Sequence, residues 1–151
     1  QWEQQISSDE YLRRVHLLQS CLTARGVDYR YHESDLSRLE AVLARGDRRL
    51  SRVLLRAHEL GCKLDGWDEY FRYDLWLQAF SDCGVDPDFY TTRGFAEDEI
   101  LPWQTMDVGV SRAFFLRERA LAYQSVTTPD CRTKCAGCGA RALSERGVCD
   151  E

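Results

Sequence analysis

The chain has 151 residues, a formal net charge of −5 and a hydrophobic share of 44%, enough apolar material for one domain with a hydrophobic core. No apolar run is long enough to span a bilayer and no signal-peptide pattern is present, which predicts a soluble, cytoplasmic protein with no membrane partner. Residues 64–110 carry two Arg/Lys against eleven Asp/Glu, which argues against the continuous basic face of a nucleic-acid-binding protein. The chain begins with Gln1 and its one methionine is Met106, so we expect a fragment of a longer polypeptide.

Most apolar residues recur at the three- and four-residue spacing of amphipathic helices. Ser7 and Glu10 have capping-box spacing, which predicts a first helix that runs to about Arg25 and stops at Gly26. Its predicted buried stripe consists of Leu12, Val15, Leu18 and Leu22, with Cys21 beside them. Ser34 or Asp35 caps a second predicted helix, which runs to about Arg45. The other predicted helical segments are Arg48 to Leu60, Asp68 to Asp82, one turn at Ala96 to Ile100, Arg112 to Gln124, and a short last helix at Ala140 to Glu145.

One segment has the period of a strand. Residues Val27 to His32 alternate apolar and polar side chains, which predicts a short strand half-buried on the side of Val27, Tyr29 and Tyr31. Because a lone strand leaves its backbone groups unpaired, we expect it to pair with a strand outside this chain. The predicted fold is therefore mainly α: a bundle-like helical domain over residues 1–126 with one short β-strand, followed by a C-terminal cysteine knuckle over residues 127–151.

Three arginines flank the start of the third predicted helix. Arg45, Arg48 and Arg49 are candidates for contact with an anion or a partner, because a helix N-terminus favours negative charge. Asp47 would already occupy the free amides as a helix cap, so pairing of the arginines with nearby carboxylates is an equally good reading. A third reading is RNA binding, in which Arg52 would join them.

The clearest chemical signal is the spacing C-x3-C-x2-C of Cys131, Cys135 and Cys138, with Cys149 further on after ten intervening residues. Clustered thiolates are stable when a soft metal or an iron–sulfur cluster supplies positive charge between them. Gly137 lets the backbone turn tightly around such a centre. The spacing predicts a 4Fe–4S cluster or a structural zinc on these four cysteines, and free thiols or disulfides are the remaining alternative.

Seven segments, in order along nearly the whole chain, carry a family resemblance. They are Gln1–Glu3, Leu39–Leu50, Asp65–Trp67, Asp74–Trp76, Leu101–Trp103, Val108–Ser111 and Thr127–Cys131. Together they resemble the C-terminal region of a family of large radical S-adenosylmethionine (SAM) proteins. In that family a cobalamin-binding-like domain precedes the radical-SAM barrel, and a region like this one follows the barrel.

The resemblance implies a C-terminal accessory region of a radical-SAM enzyme, with an auxiliary iron–sulfur or zinc site at the terminal cysteines. SAM and its cluster would lie upstream of Gln1, in a barrel of the same polypeptide that is this region's partner. No catalytic residue is then expected in this chain. C-x3-C-x2-C is also the spacing of the SAM-binding loop, but only thirteen residues follow Cys138, too few for a barrel. The alternative is a zinc-stabilised interaction module or RNA-binding module without catalysis.

Overall fold

The computed structural model describes residues 1–140, which form two compact units: Gln1–Pro102 and a second unit that begins at Trp103. The predicted boundary after residue 126 falls inside the second unit. No helix in the described part is both long and apolar enough to cross a membrane. The helices of residues 1–140 are α1 (Ser8–Cys21), α2 (Ser34–Arg45), α3 (Leu50–Leu60), α4 (Tyr73–Asp82), α5 (Asp88–Thr91) and α6 (Arg112–Tyr123).

The predicted mainly helical class is confirmed. The core of the first unit lies where α3 packs on α4 and α2 packs on α5. Its centre is closely packed, with Val42 and Val53 each 1% exposed and Ala79 fully buried. The remaining members of this core are Leu39, Leu50, Ala57, Cys62, Trp76, Phe80 and Tyr90.

Several helix ends follow their local signals. The Ser7 hydroxyl accepts a hydrogen bond from the Glu10 amide at 3.3 Å, as the predicted capping box requires. The last turn of α3 ends at Gly61, whose φ of +104° lies in the left-handed region that glycine adopts without steric cost. At α6, the Ser111 hydroxyl accepts from the Phe114 amide at 3.2 Å. These ends depend on contacts within one helical turn, which is why the sequence predicted them.

The first helix differs from its prediction in length and in burial. It ends at Cys21 rather than near Arg25. Of the predicted stripe only Val15 is buried, whereas Leu18 and Leu22 are 45% and 42% exposed. Among the described helices α1 has its main contact with α2, and one neighbour covers only a narrow part of a helix surface. The stripe therefore has the spacing of a buried helix face, but most of its side chains are exposed in the described structure.

The predicted strand at Val27 to His32 is wrong for residues 1–140, where no strand is formed. Tyr29 is half-buried, but Val27 and Tyr31 are exposed. The segment is held by the Tyr11 hydroxyl, which donates to the His32 carbonyl at 2.7 Å, and by stacking of the Tyr29 and Tyr31 rings. Alternating polarity produces a strand only where another extended segment offers backbone partners, and no such segment lies beside it here.

Two further helix predictions are wrong in extent. α4 begins at Tyr73 rather than Asp68, because turns and a bend occupy residues 65–70 and Arg72 has the non-helical backbone angles φ −121° and ψ 80°. The predicted helical turn at Ala96 to Ile100 is a turn without helix. There Glu99 accepts two hydrogen bonds from Arg93, at 2.9 and 2.8 Å, so its carboxylate serves an ion pair. The short helix predicted from Ala140 to Glu145 lies outside the described residues except for Ala140.

Candidate metal centre

Helix α6 is followed by a chain reversal that brings the cysteine loop back towards the start of the helix. Ser125 has φ +57°, and the Val126 amide donates to the Leu121 carbonyl at 3.0 Å, which closes the last helical turn. A left-handed residue other than glycine is uncommon, and the local sequence gives no signal for it. The reversal directs residues 127–140 back along α6.

Three contacts attach this returning segment to the helix. Near the middle of α6, the Thr128 hydroxyl donates to the Glu118 carboxylate. The Arg117 guanidinium donates to the Ala136 carbonyl. At the helix start, the Ser111 amide donates to the Cys138 carbonyl at 2.8 Å. The loop is thereby fixed at both ends of the sequence Ala136-Gly137-Cys138.

Cys135 and Cys138 lie three residues apart in the returning loop, and each sulfur accepts a hydrogen bond from a backbone amide two residues further on. The Gly137 amide donates to Cys135 Sγ and the Ala140 amide donates to Cys138 Sγ, both at 3.4 Å. The glycines that follow these cysteines, Gly137 and Gly139, have left-handed φ values of +67° and +96°. The backbone of the loop therefore orients each of these two thiol groups.

Gly139 also packs too closely on the helix start to carry a side chain. A Cβ at this position would lie 3.0 Å from the Gly109 carbonyl oxygen and 3.3 Å from the Ser111 amide nitrogen. Both are backbone atoms, which cannot rotate away as a flexible side chain does. The position thus requires glycine for space as well as for its backbone angle.

Cys131 belongs to a separate turn that precedes this pair. The Asp130 carboxylate accepts from the Arg132 amide at 2.8 Å and from its guanidinium at 3.0 Å, and this pairing lowers the pKa of Asp130. The pKa of Arg132 is raised, mainly by Asp130 and additionally by the nearby Cys131. The Arg132 guanidinium therefore lies close to the Cys131 thiol.

The predicted four-cysteine set is brought together only in part. Within residues 1–140 no group of three or more His, Cys, Asp or Glu side chains converges as a metal site, and none of the described cysteines forms a disulfide. Cys131 lies in the turn of residues 131–134, Cys135 and Cys138 follow it in the returning loop, and Cys149 lies outside the described residues. Thiolate sulfurs are the ligands that zinc and iron–sulfur clusters use, but the described residues do not assemble a complete set of them.

Of the three candidate arginines, Arg45 is engaged inside the first unit. Its guanidinium donates to the Glu3 carbonyl at 2.8 Å and to the Arg93 carbonyl at 3.1 Å. It also lies 4.5 Å from the centroid of the Phe95 ring. Burial, together with the charge of Arg93, lowers the pKa of Arg45. These contacts hold the N-terminal segment on the loop that follows α5, so the side chain serves packing.

Arg49 is paired with Asp47, as one of the predicted readings required. Its guanidinium lies 2.6 Å from Asp47 Oδ2, and the Arg49 amide donates to Oδ1 at 2.9 Å. The hydrogen bonds from Arg49 lower the pKa of Asp47 to about 2. Arg48 is exposed. Arg45 and Arg49 are thus engaged within the chain, whereas Arg48 and Arg52 are exposed, and contact of these arginines with an anion or with RNA stays a prediction.

A groove of about 500 Å³ lies in the first unit and is lined partly by Ser7, Arg38, Asp88, Thr91 and Thr92. Arg38 pairs with Asp88, Thr91 donates to the Pro87 carbonyl at 3.3 Å, and Thr92 donates to the Asp88 carbonyl at 3.2 Å. In the described chain Arg38 Nε is buried without a hydrogen-bond partner.

Comparison with protein-family models, with curated proteins and with solved structures finds no match to this chain. Sequence reasoning found the cysteines and Gly137, but it missed Ser111 and Arg117 as the groups that hold the cysteine loop. Ser111 lies 27 residues from its partner Cys138 and Arg117 lies 19 residues from its partner Ala136, and only the reversal at Ser125 brings them together. The signal that pointed to a close approach was Gly139 directly after Cys138.

Proposed function

We propose that this chain is the C-terminal accessory region of a cytoplasmic radical-SAM enzyme, with its auxiliary metal site on the terminal cysteines and the SAM site outside this chain. The observation that carries the proposal is the loop of Cys135 and Cys138, in which each sulfur accepts a hydrogen bond from a backbone amide. Such donors are typical of sites that hold thiolates around a metal. The resemblance of the seven segments supplies the radical-SAM context.

Cys135 and Cys138 would hold the metal first, and Cys131 and Cys149 are the remaining predicted ligands. A bound 4Fe–4S cluster supplies an electron-transfer centre, whereas a bound zinc supplies a structural cross-link. In both cases the protein's part is the same: the Gly137 and Ala140 amides orient the sulfurs of Cys135 and Cys138. No residue of this chain is assigned a role in SAM cleavage.

Metal and acid-labile sulfide analysis of the chain purified without oxygen, with its visible spectrum, tests this proposal. About four iron and four sulfide per chain with brown absorption supports an auxiliary cluster. About one zinc without sulfide supports a structural clasp and favours the interaction-module alternative. A chain that holds neither metal nor sulfide refutes the metal site.

The metal content of cysteine variants tests whether the metal binds at the cysteine loop. We expect Cys135→Ser and Cys138→Ser to lose the metal, because each removes a sulfur that the backbone orients. Cys21→Ser is the matched control, since Cys21 is also exposed but lies at the end of α1 in the other unit. Equal metal content in all three variants would place the metal elsewhere. Robust SAM cleavage by residues 1–151 alone would contradict the accessory role.

A further inference from the structure

The groove of the first unit lies where the starts of two helices meet. Its lining residues come from the lead-in at residues 5–7, the first turns of α1 and α2, and α5 with the residue that follows it. The Gln5 amide donates to the Thr91 carbonyl at 3.0 Å, which fixes the lead-in to α5. The Tyr11 hydroxyl donates to the His32 carbonyl at 2.7 Å, which fixes α1 to the segment before α2. The groove's volume of about 500 Å³ lies in the range of pockets that hold a small molecule.

Several polar side chains of this lining have no partner within the described chain. Ser8, Ser34 and Ser37 are half-buried, and their hydroxyls form no hydrogen bond within residues 1–140. The side chains of Gln5 and Asp9 likewise have no partner in that part of the chain. All five line the same groove. A ligand in the groove would therefore meet several polar groups whose hydrogen bonds are not already used by the protein.

The charges of the groove decide which kind of ligand these groups fit. Among its described lining residues Arg38 is the one cation, and it already pairs with Asp88. Asp9 adds a carboxylate without a partner, so an anionic ligand would meet negative charge in excess. Asp9 is exposed, and an exposed ion pair contributes little free energy. A cationic ligand therefore gains little as well, and the groove favours an uncharged one.

We infer that this groove binds a small, neutral, polyhydroxylated molecule of the size of a mono- or disaccharide. The hydroxyls of Ser34 and Ser37 match the hydroxyls of such a ligand, because each group donates and accepts. The Asp9 carboxylate accepts from further ligand hydroxyls. The lining also includes the apolar Ile6 and the aromatic Tyr11, which offer surface to the C–H faces of a sugar.

The serines of this site are held by rigid elements. Ser8 and Ser34 are the first residues of α1 and α2, and Ser37 lies one turn further along α2. Side chains on helices keep their relative positions better than side chains on loops. The inference goes beyond the proposed function and needs no bound metal, because the groove belongs to the first unit.

Amide chemical-shift changes in the isotope-labelled full chain test the site. The probes are glucose, galactose, ribose and maltose, each titrated into the millimolar range. We expect at least one sugar to shift the amides of Ser8, Ser34 and Thr92, with an affinity that is the same at low and high salt because a neutral ligand is not screened. Shifts of these amides by none of the four sugars overturn the inference. Sodium phosphate and ethylamine are the charged probes, and shifts caused by them alone would show that the groove takes a charged ligand.

Serine variants test whether the sugar lies in the groove. We expect the double variant Ser34→Ala/Ser37→Ala to weaken the affinity for the bound sugar by at least about tenfold, because it removes two hydrogen-bonding groups. Ser81→Ala is the matched control, since Ser81 is an exposed serine on α4 of the same unit that does not line the groove. Equal sugar affinity of these two variants would place the sugar elsewhere.

A third variant keeps the test independent of helix stability. Asp9 is exposed, so Asp9→Ala leaves the packing of the first unit intact and should weaken the sugar affinity by about fivefold. Urea unfolding of each variant checks that its first unit is folded. Sugar affinity unchanged in Asp9→Ala and in Ser34→Ala/Ser37→Ala alike overturns the assignment of the groove.

Discussion

Substitution of Gly46 by alanine is expected to destabilise the first unit through a steric conflict. Gly46 lies between α2 and α3 with φ −77° and ψ 167°, angles that alanine adopts without strain. A Cβ there would lie 2.0 Å from Leu50 Cδ1 and 2.7 Å from the Val42 carbonyl oxygen. The carbonyl belongs to the last turns of α2, and Leu50 is 5% exposed in the core. Leu50 must therefore leave its place in the core, or the helix end must shift.

The magnitude follows from two opposing effects. Overpacking of a core by one methyl group costs about 1–3 kcal/mol. Replacement of a glycine by alanine restricts the unfolded chain and offsets about 0.4–1 kcal/mol of that cost. We therefore expect Gly46→Ala to lower the free energy of unfolding by about 1–2 kcal/mol. Gly66→Ala is the matched control, because nothing lies within 4 Å of its Cβ position and its φ is not left-handed.

Urea unfolding of both variants, followed by far-UV circular dichroism, measures this difference. Gly66→Ala should be neutral or slightly stabilised. The double variant Gly46→Ala/Leu50→Ala should be less destabilised than the sum of its single variants, since the smaller side chain removes the clash. Equal stability of Gly46→Ala and Gly66→Ala would refute the steric reasoning.

Three further outcomes are expected. Phe80→Ala, which removes a side chain 2% exposed in the core, should lower the free energy of unfolding by about 3–5 kcal/mol in urea, and a loss below about 1 kcal/mol would contradict the assigned core. Because Arg49 lowers the pKa of Asp47 from its ordinary 3.8 to about 2, Asp47 stabilises the fold above pH 3.8 and loses this contribution as the pH falls towards 2. Asp47→Asn should therefore lower the free energy of unfolding by about 1 kcal/mol at pH 7. It should also flatten the pH dependence of urea unfolding between pH 2 and pH 3.8. A pH dependence equal to that of the unsubstituted chain would exclude the pairing. Gly139→Ala should weaken zinc binding in a chelator competition. The added Cβ would lie 3.0 Å from the Gly109 carbonyl oxygen, and alanine would have to adopt the left-handed φ of Gly139. A zinc affinity equal to that of the unsubstituted chain would show that the loop does not need glycine at this position.

The correct sequence predictions concern features whose cause is close in the chain. α2 ends at Arg45 before Gly46, α3 ends at Gly61, and Ser111 caps α6. Each of these features depends on a hydrogen bond or backbone angle within one helical turn. The packing of Trp76 and Phe80 in the core likewise follows from their spacing along one helix face.

The incorrect predictions concern features whose cause lies elsewhere in the chain. The period-two segment from Val27 to His32 has no partner strand in the described chain, and most of the predicted stripe of α1 is not covered. Periodicity indicates which face a segment is able to bury, but it does not supply the surface that buries it.

The sequence by itself determined the helical class, most helix ends and the spacing of Cys131, Cys135 and Cys138, because these properties depend on neighbours a few residues apart. Only the tertiary structure decided which groups the cysteine loop contacts. The left-handed residue Ser125 reverses the chain, and the amide of Ser111 then meets a carbonyl 27 residues later, at Cys138. Such a contact depends on where the backbone returns in space, and no local pattern encodes that return.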